Sequence, residues 1–137
     1  MSEEDAIAKS DTPATVESLE ADLRALGLAA GQVVLVHSSL SSLGWVAGGA
    51  QAVLAALMNV LTDSGTLVMP AFSGGNSEPS LWRAPPVQEV WWQIIRDHMP
   101  AFDRKLTPTR RMGAIPELFR SAADVRRSDH PACSWQS

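Results

Sequence analysis

The sequence predicts an α/β fold: an incomplete, mostly parallel sheet with flanking helices, built around a βαβ unit. Two short apolar runs support this prediction. Residues 32–37 follow Gly31 and are rich in β-branched side chains, and residues 66–70 follow a glycine-containing turn. The apolar stretch 50–61 between them has the length of a helix. Strand, loop, helix, turn and strand over about forty residues are typical of a βαβ unit, and the first strand is expected to be buried on both faces.

The flanking segments extend this unit. Residues 1–14 are predicted to be a flexible leader, and residues 15–137 to belong to one domain. Apolar residues at helical spacing follow Thr15, a good N-cap, and end at Gly27. Further elements are predicted at 87–98 (a helix with Trp91, Trp92 and Ile95 facing inward), at 113–122 (a short helix) and at 125–127 (the start of a strand).

The composition is that of a globular protein. The 137 residues are 45% apolar and 19% charged, and no apolar run has the length of a membrane span. The polar, acidic start is unlike a signal peptide, so we expect a cytoplasmic protein without a membrane partner. The single cysteine, Cys133, can form neither an internal disulfide nor a zinc site by itself, and we expect no metal.

The charges are unevenly distributed along the chain. Seven of the fifteen acidic residues lie in the first 22 positions, whereas seven of the eleven basic residues lie between Arg104 and Arg127. A local basic segment in a protein of net charge −4 favours a compact anionic ligand over nucleic acid. The alternative is a solvated charged face.

The loop after the first predicted strand is the strongest candidate for a ligand site. Ser38 and Ser39 open it, and Gly48 and Gly49 stand directly before the predicted helix. The free N–H groups and positive dipole end of a helix suit a phosphate, and glycines allow close approach to the backbone. Neither GxxxxGK[ST] nor GxGxxG is present, and a flexible loop is the alternative interpretation. His37 is a candidate general base beside the serines, or a packed histidine.

A second candidate loop spans residues 106–113. It contains two threonines, two arginines and a glycine before a predicted helix. Guanidinium groups match phosphate by forked donation, so the two loops together could hold a ligand with separated phosphates. Solvated surface arginines are the alternative.

Four stretches of the chain resemble successive blocks of the aminoglycoside 3-N-acetyltransferase family. The order and spacing of the blocks match over roughly residues 15–135. The stretches are VHSSLSSLGWVAGGAQAVLAAL, GTLVMPAFSGGNSEP, APPVQEVWWQIIRDHMPAFDRKLTPTRRMGAIPELFR and RSDHPACSW.

The resemblance implies acetyl transfer from acetyl-CoA to the 3-amino group of an aminoglycoside antibiotic, a resistance activity. It also implies nine coenzyme A contacts in the two loops. Those in the first loop, around pantetheine and phosphate, are Ser38, Ser39, Val46, Gly48 and Gly49; those in the second are Thr109, Arg110, Met112 and Gly113.

Departures from the family pattern qualify this function. The chain resembles only the N-terminal half of family members, so residues 15–137 are expected to be the N-terminal portion of a single acetyltransferase domain. The histidine–glutamate pair assigned to amine deprotonation lies in the other half. Many members have an aspartate where this chain has Gly75, which leaves Glu78 as the nearest acid to contact a cationic substrate. An exposed sheet edge is expected, through which copies could self-associate.

Three functions follow as hypotheses. The first is an aminoglycoside N-acetyltransferase in truncated form, and the second is a non-catalytic coenzyme A-binding remnant or module. The third, without support from the resemblance, is a domain that binds nucleotide phosphates.

Overall fold

The computed structural model describes residues 2–137, which form a layer of helices around a three-stranded sheet. The helices are α1 (Glu3–Ala8), α2 (Val16–Ala25), α3 (Gly49–Leu61), α4 (Trp92–His98) and α5 (Ala114–Arg120), and the strands are β1 (Val33–Leu35), β2 (Thr66–Pro70) and β3 (Trp135–Gln136). Short 3-10 turns lie at Leu40–Leu43, Gly74–Asn76, Pro79–Leu81 and Glu89–Trp91.

The sheet has the order β1-β2-β3 and is mixed. β1 and β2 are parallel, with Val33 opposite Thr66, and α3 connects them, which confirms the predicted βαβ unit and the α/β class. β3 returns antiparallel to β2, with Met69 opposite Gln136. The strand predicted to begin at 125–127 is limited to a bridge between Arg127 and Gln136.

Helix α3 lies at the centre of the core. Its residues are alanine, leucine and valine for the most part, and α2, α5 and β2 all pack against it. It therefore buries more than one face, as a helix that is apolar all round must do. Its buried residues are Ala52, Val53, Leu54, Ala56, Leu57, Val60 and Leu61.

Two predictions of burial are wrong. The prediction that β1 is covered on both faces is wrong because Val33 (75% exposed) and Leu35 (53% exposed) share a face that is left uncovered, whereas Val34 on the opposite face packs against the core. Trp91 was expected to face inward from the helix over 87–98 and is 48% exposed, because α4 packs mainly against two 3-10 turns and buries none of its own residues. The sheet edge is open, as expected, and self-association stays a prediction.

The segment predicted as a flexible leader contains structure. Ser2 and Asp5 form a capping box at the start of α1: the Ser2 N–H donates to Asp5 Oδ2 at 2.9 Å and the Asp5 N–H to Ser2 Oγ at 3.2 Å. Ala6 is buried, and Ala14 forms a parallel bridge with Val46. These contacts attach the segment to the loop after β1.

Arg127 ties three parts of the chain together. Its side chain is buried, with 7% exposure, and it donates from Nε to Ser134 Oγ at 2.9 Å and from Nη2 to the Ala71 carbonyl at 2.7 Å. Nη1 donates to the Thr107 carbonyl, and the guanidinium lies 4.9 Å from the centre of the Phe102 ring. The end of β2, the 102–107 segment and the chain before β3 thus share one buried cation.

We expect Arg127→Met to lower the free energy of unfolding by about 3 kcal/mol or more, because it leaves buried carbonyls without a donor. Arg126→Gln is the matched control: it removes the same charge from the neighbouring exposed position and should change stability by about 0.5 kcal/mol at most. Urea unfolding followed by circular dichroism measures both. Equal midpoints for the two variants would contradict the assigned role.

Candidate functional site

A large cavity lies where the loop after β1 meets the loop before α5. Its volume is about 730 Å³. Its walls come from three segments: Ser2, Glu3 and Ala6 of the α1 region; Ser38, Ser39, Leu40, Ser41, Gly44, Trp45, Val46, Gly48 and Gly49; and Arg111, Met112, Gly113 and Ala114. We call it the first cavity.

Seven of the nine predicted coenzyme A contacts line the first cavity: Ser38, Ser39, Val46, Gly48, Gly49, Met112 and Gly113. Thr109 and Arg110 do not. The Thr109 N–H and hydroxyl donate to Glu117 Oε2 at 2.9 and 2.6 Å, and Arg110 lines a neighbouring cavity. The two loops therefore meet, as the sequence analysis expected, and the contacts with coenzyme A stay predictions.

Unused hydrogen-bonding groups mark this cavity. Ser38 Oγ is buried and has no hydrogen-bond partner among the described residues. The N–H groups of Ala50 and Gln51, in the first turn of α3, likewise find no acceptor in that part of the chain. Gly48 and Gly49 precede them with φ of 89° and 56°, a left-handed conformation that side chains disfavour. The start of α3 therefore offers free donors beside an open backbone.

The N-terminal segment contributes a wall of the first cavity that was not predicted from the sequence. The Trp45 indole Nε1 donates to Glu3 Oε1 at 3.1 Å, and the Trp45 N–H donates to Ser10 Oγ at 2.9 Å. Ser10 Oγ in turn donates to the Ala6 carbonyl at 2.8 Å. The Ser-x-x-Asp pattern at positions 2–5 is the signal that could have predicted this helix.

Glu117 holds the second loop in place. Burial alone would raise the pKa of this carboxyl, but hydrogen bonds from Arg120 and from the Thr109 hydroxyl and N–H outweigh burial and lower its pKa to about 2. Thr109 thus anchors the loop to α5 instead of facing the cavity. The loop is also fixed at its other side, where the Arg110 N–H donates to the Phe72 carbonyl at 2.8 Å.

The remaining candidates lie outside the first cavity. His37 is exposed, stands edge-on to Trp135 with ring centres 6.1 Å apart, and lines a separate cavity of about 270 Å³ that also includes Ser38 and Ser39. Glu78, the predicted substrate contact, receives a forked pair from Arg96: Nη2 to Oε1 at 2.5 Å and Nε to Oε2 at 3.2 Å. These hydrogen bonds lower the pKa of Glu78 to about 2.

The described residues contain neither a metal-ligand cluster nor a membrane-spanning helix. Within residues 2–137, no group of three or more histidine, cysteine, aspartate or glutamate side chains is placed to hold a metal ion. No helix in the same residues has the length and apolarity needed to cross a bilayer.

The family follows from comparison with known proteins. The model of the aminoglycoside 3-N-acetyltransferase family matches residues 35–136. The chain belongs to this family. The resemblance in its sequence blocks is thereby confirmed.

Individual acetyltransferase relatives agree with this assignment. The aminoglycoside N(3')-acetyltransferase-like protein YokD of Bacillus subtilis is 56% identical over 124 residues, which are 90% of this chain and 46% of YokD. Its crystal structure matches 97% of this chain and 50% of the YokD chain with a TM-score of 0.94. Aminoglycoside N(3)-acetyltransferase VIII of Streptomyces fradiae is 36% identical over 98% of this chain and 46% of its own length.

One solved acetyltransferase structure contains coenzyme A in its free thiol form. In the binary structure of AAC-IIIb with CoASH, the AAC-IIIb sequence is 33% identical to this chain. The match covers 91% of this chain and 46% of the AAC-IIIb chain, with a TM-score of 0.75. The chain spans about half the length of the relatives it matches.

Substitution of Gly44 tests the contact between the N-terminal segment and the loop. Gly44 has φ 75° and ψ −153°, and a Cβ there would lie 2.6 Å from Ser10 Oγ. We expect Gly44→Ala to cost about 1–3 kcal/mol in unfolding free energy. Gly27→Ala is the control, since Gly27 also has positive φ (98°) but has nothing within 4 Å of its Cβ position. Thermal unfolding should show a larger loss of stability for Gly44→Ala than for Gly27→Ala. Equal losses would show that the close approach of Gly44 to Ser10 contributes nothing.

Glu117→Gln tests the anchoring of the second loop. The pKa of Glu117 is lower in the folded chain than its ordinary value of 4.5, so its ionised form stabilises the fold above that pH, and this stabilisation is lost as pH falls towards 2. We expect the variant to be less stable at pH 7 by about 1 kcal/mol, a figure reduced for solvent screening.

Unfolding titrations between pH 7 and pH 2 measure this difference. It should shrink below pH 4.5 as the wild-type carboxylate is protonated. Glu89→Gln, at an exposed position, serves as the control for removal of an acid. A difference between Glu117→Gln and wild type that is constant with pH would refute the role of the carboxylate charge.

Proposed function

We propose that this chain supplies the coenzyme A-binding portion of an acetyl-CoA-dependent N-acetyltransferase whose acceptor is the 3-amino group of an aminoglycoside. The observation that carries the proposal is the first cavity. Two loops predicted to bind one cofactor meet there, next to the buried, unpartnered Ser38 hydroxyl. A buried hydroxyl without a hydrogen-bond partner costs free energy unless a ligand supplies the missing hydrogen bond.

Coenzyme A suits the chemistry of the cavity. Its phosphates require donors, which the free N–H groups at the start of α3 provide, and its pantetheine arm is long and narrow. Val46, Met112 and Ala114 give the cavity apolar wall. The related AAC-IIIb, with CoASH bound in its solved structure, supports the same ligand class for this chain.

The reaction needs a base beside the bound thioester. The acceptor amine must be unprotonated when its nitrogen attacks the carbonyl carbon; a tetrahedral oxyanion forms, the C–S bond breaks, and the amine proton leaves to a base. Backbone N–H groups in the cavity are suited to stabilising the oxyanion. No histidine among residues 2–137 lines the first cavity, and His37 lies in a separate one. We therefore assign the base to the part of the enzyme that corresponds to the unmatched half of the relatives.

The second candidate function is a coenzyme A-binding module without transfer activity. No histidine among the described residues lines the first cavity, and the Glu3 carboxylate in its wall accepts a hydrogen bond from the Trp45 indole; both observations favour the module for this chain acting alone. Titration with coenzyme A, dephospho-CoA and ATP separates the functions. Coenzyme A binding with turnover of gentamicin supports the transferase, binding without turnover supports the module, and tighter binding of ATP supports a nucleotide-phosphate domain.

Ser38→Ala provides the sharpest test of the cavity. Removal of an orphaned hydroxyl should leave the unfolding free energy unchanged or slightly higher, whereas loss of a hydrogen bond to ligand should weaken coenzyme A binding about fivefold. Ser64→Ala, at an exposed position outside the first cavity, should bind as wild type does. Calorimetry measures the affinity. Unchanged affinity in Ser38→Ala would remove the observation on which the proposal rests.

A further inference from the structure

We propose that the cavity next to the first one is an anion-binding site, which takes a phosphate or carboxylate group on a ligand with an apolar or flat body. Its volume is about 530 Å³. Arg83, Arg110 and Arg111 line it together with Phe72 and Trp82, and none of its lining residues is acidic. We call it the arginine cavity.

Arg110 is held ready for a ligand. Its backbone is fixed by the hydrogen bond to Phe72, and its guanidinium lies 5.8 Å from the centre of the Trp82 ring. The ring is itself fixed, because Trp82 Nε1 donates to Ser77 Oγ at 2.9 Å. The guanidinium has neither a hydrogen bond nor an ion pair with any residue of the described part. Its donors are therefore free, and its position is set by stacking.

The charge of this cavity is uncompensated. Arg111 donates to the Ala84 carbonyl and Arg83 to the Ser80 carbonyl at 2.9 Å, so both are held by neutral acceptors. In residues 2–137, none of the three lining arginines has a carboxylate within ion-pair distance. Elsewhere the fold does pair such groups, as in Arg96 with Glu78. Three neighbouring positive charges attract an anion and oppose a polycation.

The glycine at position 75 leaves the Arg110 guanidinium without a neighbouring side chain that could neutralise it. A Cβ built on Gly75 would lie 3.7 Å from Arg110 Nη1, close enough for an acidic side chain to neutralise the guanidinium. Gly75 is absent from the glycines with positive φ, so a side chain there would not strain the backbone. The glycine at this position therefore preserves the positive potential of the cavity.

The anion could come from two sources. Arg111 and Met112 line both cavities, so the phosphate-bearing end of a coenzyme A molecule in the first cavity could extend into the arginine cavity. Alternatively, the acceptor molecule that carries the amine could itself be anionic. Both sources present the same chemistry to Arg110. The proposal holds whether or not coenzyme A occupies the first cavity.

Cys133 allows a measurement confined to this cavity. It is the single cysteine of the chain, is exposed, and lines the arginine cavity. Its rate of alkylation by iodoacetamide, an uncharged reagent, can be followed by mass spectrometry in the full chain. We expect inorganic pyrophosphate to slow alkylation in a saturable way. Gentamicin, a polycation, should not protect.

Variants assign the protection to Arg110. Arg110→Gln should weaken protection by pyrophosphate about tenfold or more, since a charge-assisted hydrogen bond is lost. Arg126→Gln, which removes the same charge outside the cavity, should behave as wild type. Gly75→Asp should weaken protection by pyrophosphate and make gentamicin protective. This reversal of selectivity would not follow from a loss of folding, which circular dichroism checks in each variant.

The outcomes separate this proposal from the proposed function. If coenzyme A protects Cys133 more than dephospho-CoA does, the anion is the 3'-phosphate of the cosubstrate. If 4-aminobenzoate protects Cys133, and coenzyme A and dephospho-CoA protect it equally, the anion belongs to the acceptor. If coenzyme A binds by calorimetry but no anion protects Cys133, the arginine cavity is not an anion site and the proposed function stands. If pyrophosphate protects Cys133 but coenzyme A does not bind, the arginine cavity is an anion site and the proposed function is wrong. Equal protection in Arg110→Gln and Arg126→Gln overturns the role of Arg110.

Discussion

The buried guanidinium of Arg127 is the constraint on which the rest of the structure depends. Burial lowers the pKa of this side chain, yet arginine keeps its proton in proteins, so the fold must surround a permanent charge with acceptors. It does so with carbonyl and hydroxyl oxygens from Ala71, Thr107 and Ser134, segments far apart in sequence. A carboxylate partner would have satisfied the charge locally; neutral acceptors require three chain segments to converge.

That convergence positions both cavities. Ala71 directly follows β2 and precedes Phe72, whose carbonyl receives the Arg110 N–H. Thr107 begins the loop that Glu117 then fixes through Thr109. The end of β2 and the second loop are thereby held side by side, and the loop after β1 completes the first cavity at the same edge of the sheet. Ligand sites in α/β sheets occupy this edge because parallel strands end there together.

The sequence predicted what depends on local pattern. The parallel strands, α3 and the meeting of the two loops follow from apolar runs, glycines and the topology of a βαβ unit. The predictions that are wrong concern residues whose surroundings are set by partners distant in sequence. Val33 and Leu35 belong to an apolar run that would be buried beneath another layer, but the face of β1 on which they lie is left uncovered. The family resemblance implies one role for the neighbouring residues Thr109 and Arg110. In the fold they face different surroundings: Thr109 donates to Glu117, and Arg110 stacks on Trp82.

The fold separates the basic residues that the sequence places between Arg104 and Arg127. The basic segment does not form one patch: Arg120 pairs with Glu117 and Arg127 is buried, so neither contributes an open charge. Arg104, Lys105 and Arg126 are exposed outside the two cavities, whereas Arg110 and Arg111 line the arginine cavity. A compact anionic ligand, which the sequence favours over nucleic acid, would therefore find two adjacent guanidinium groups in the arginine cavity. The three guanidinium groups of the arginine cavity would repel a polycation, so a cationic molecule would have to be recognised by groups outside this cavity.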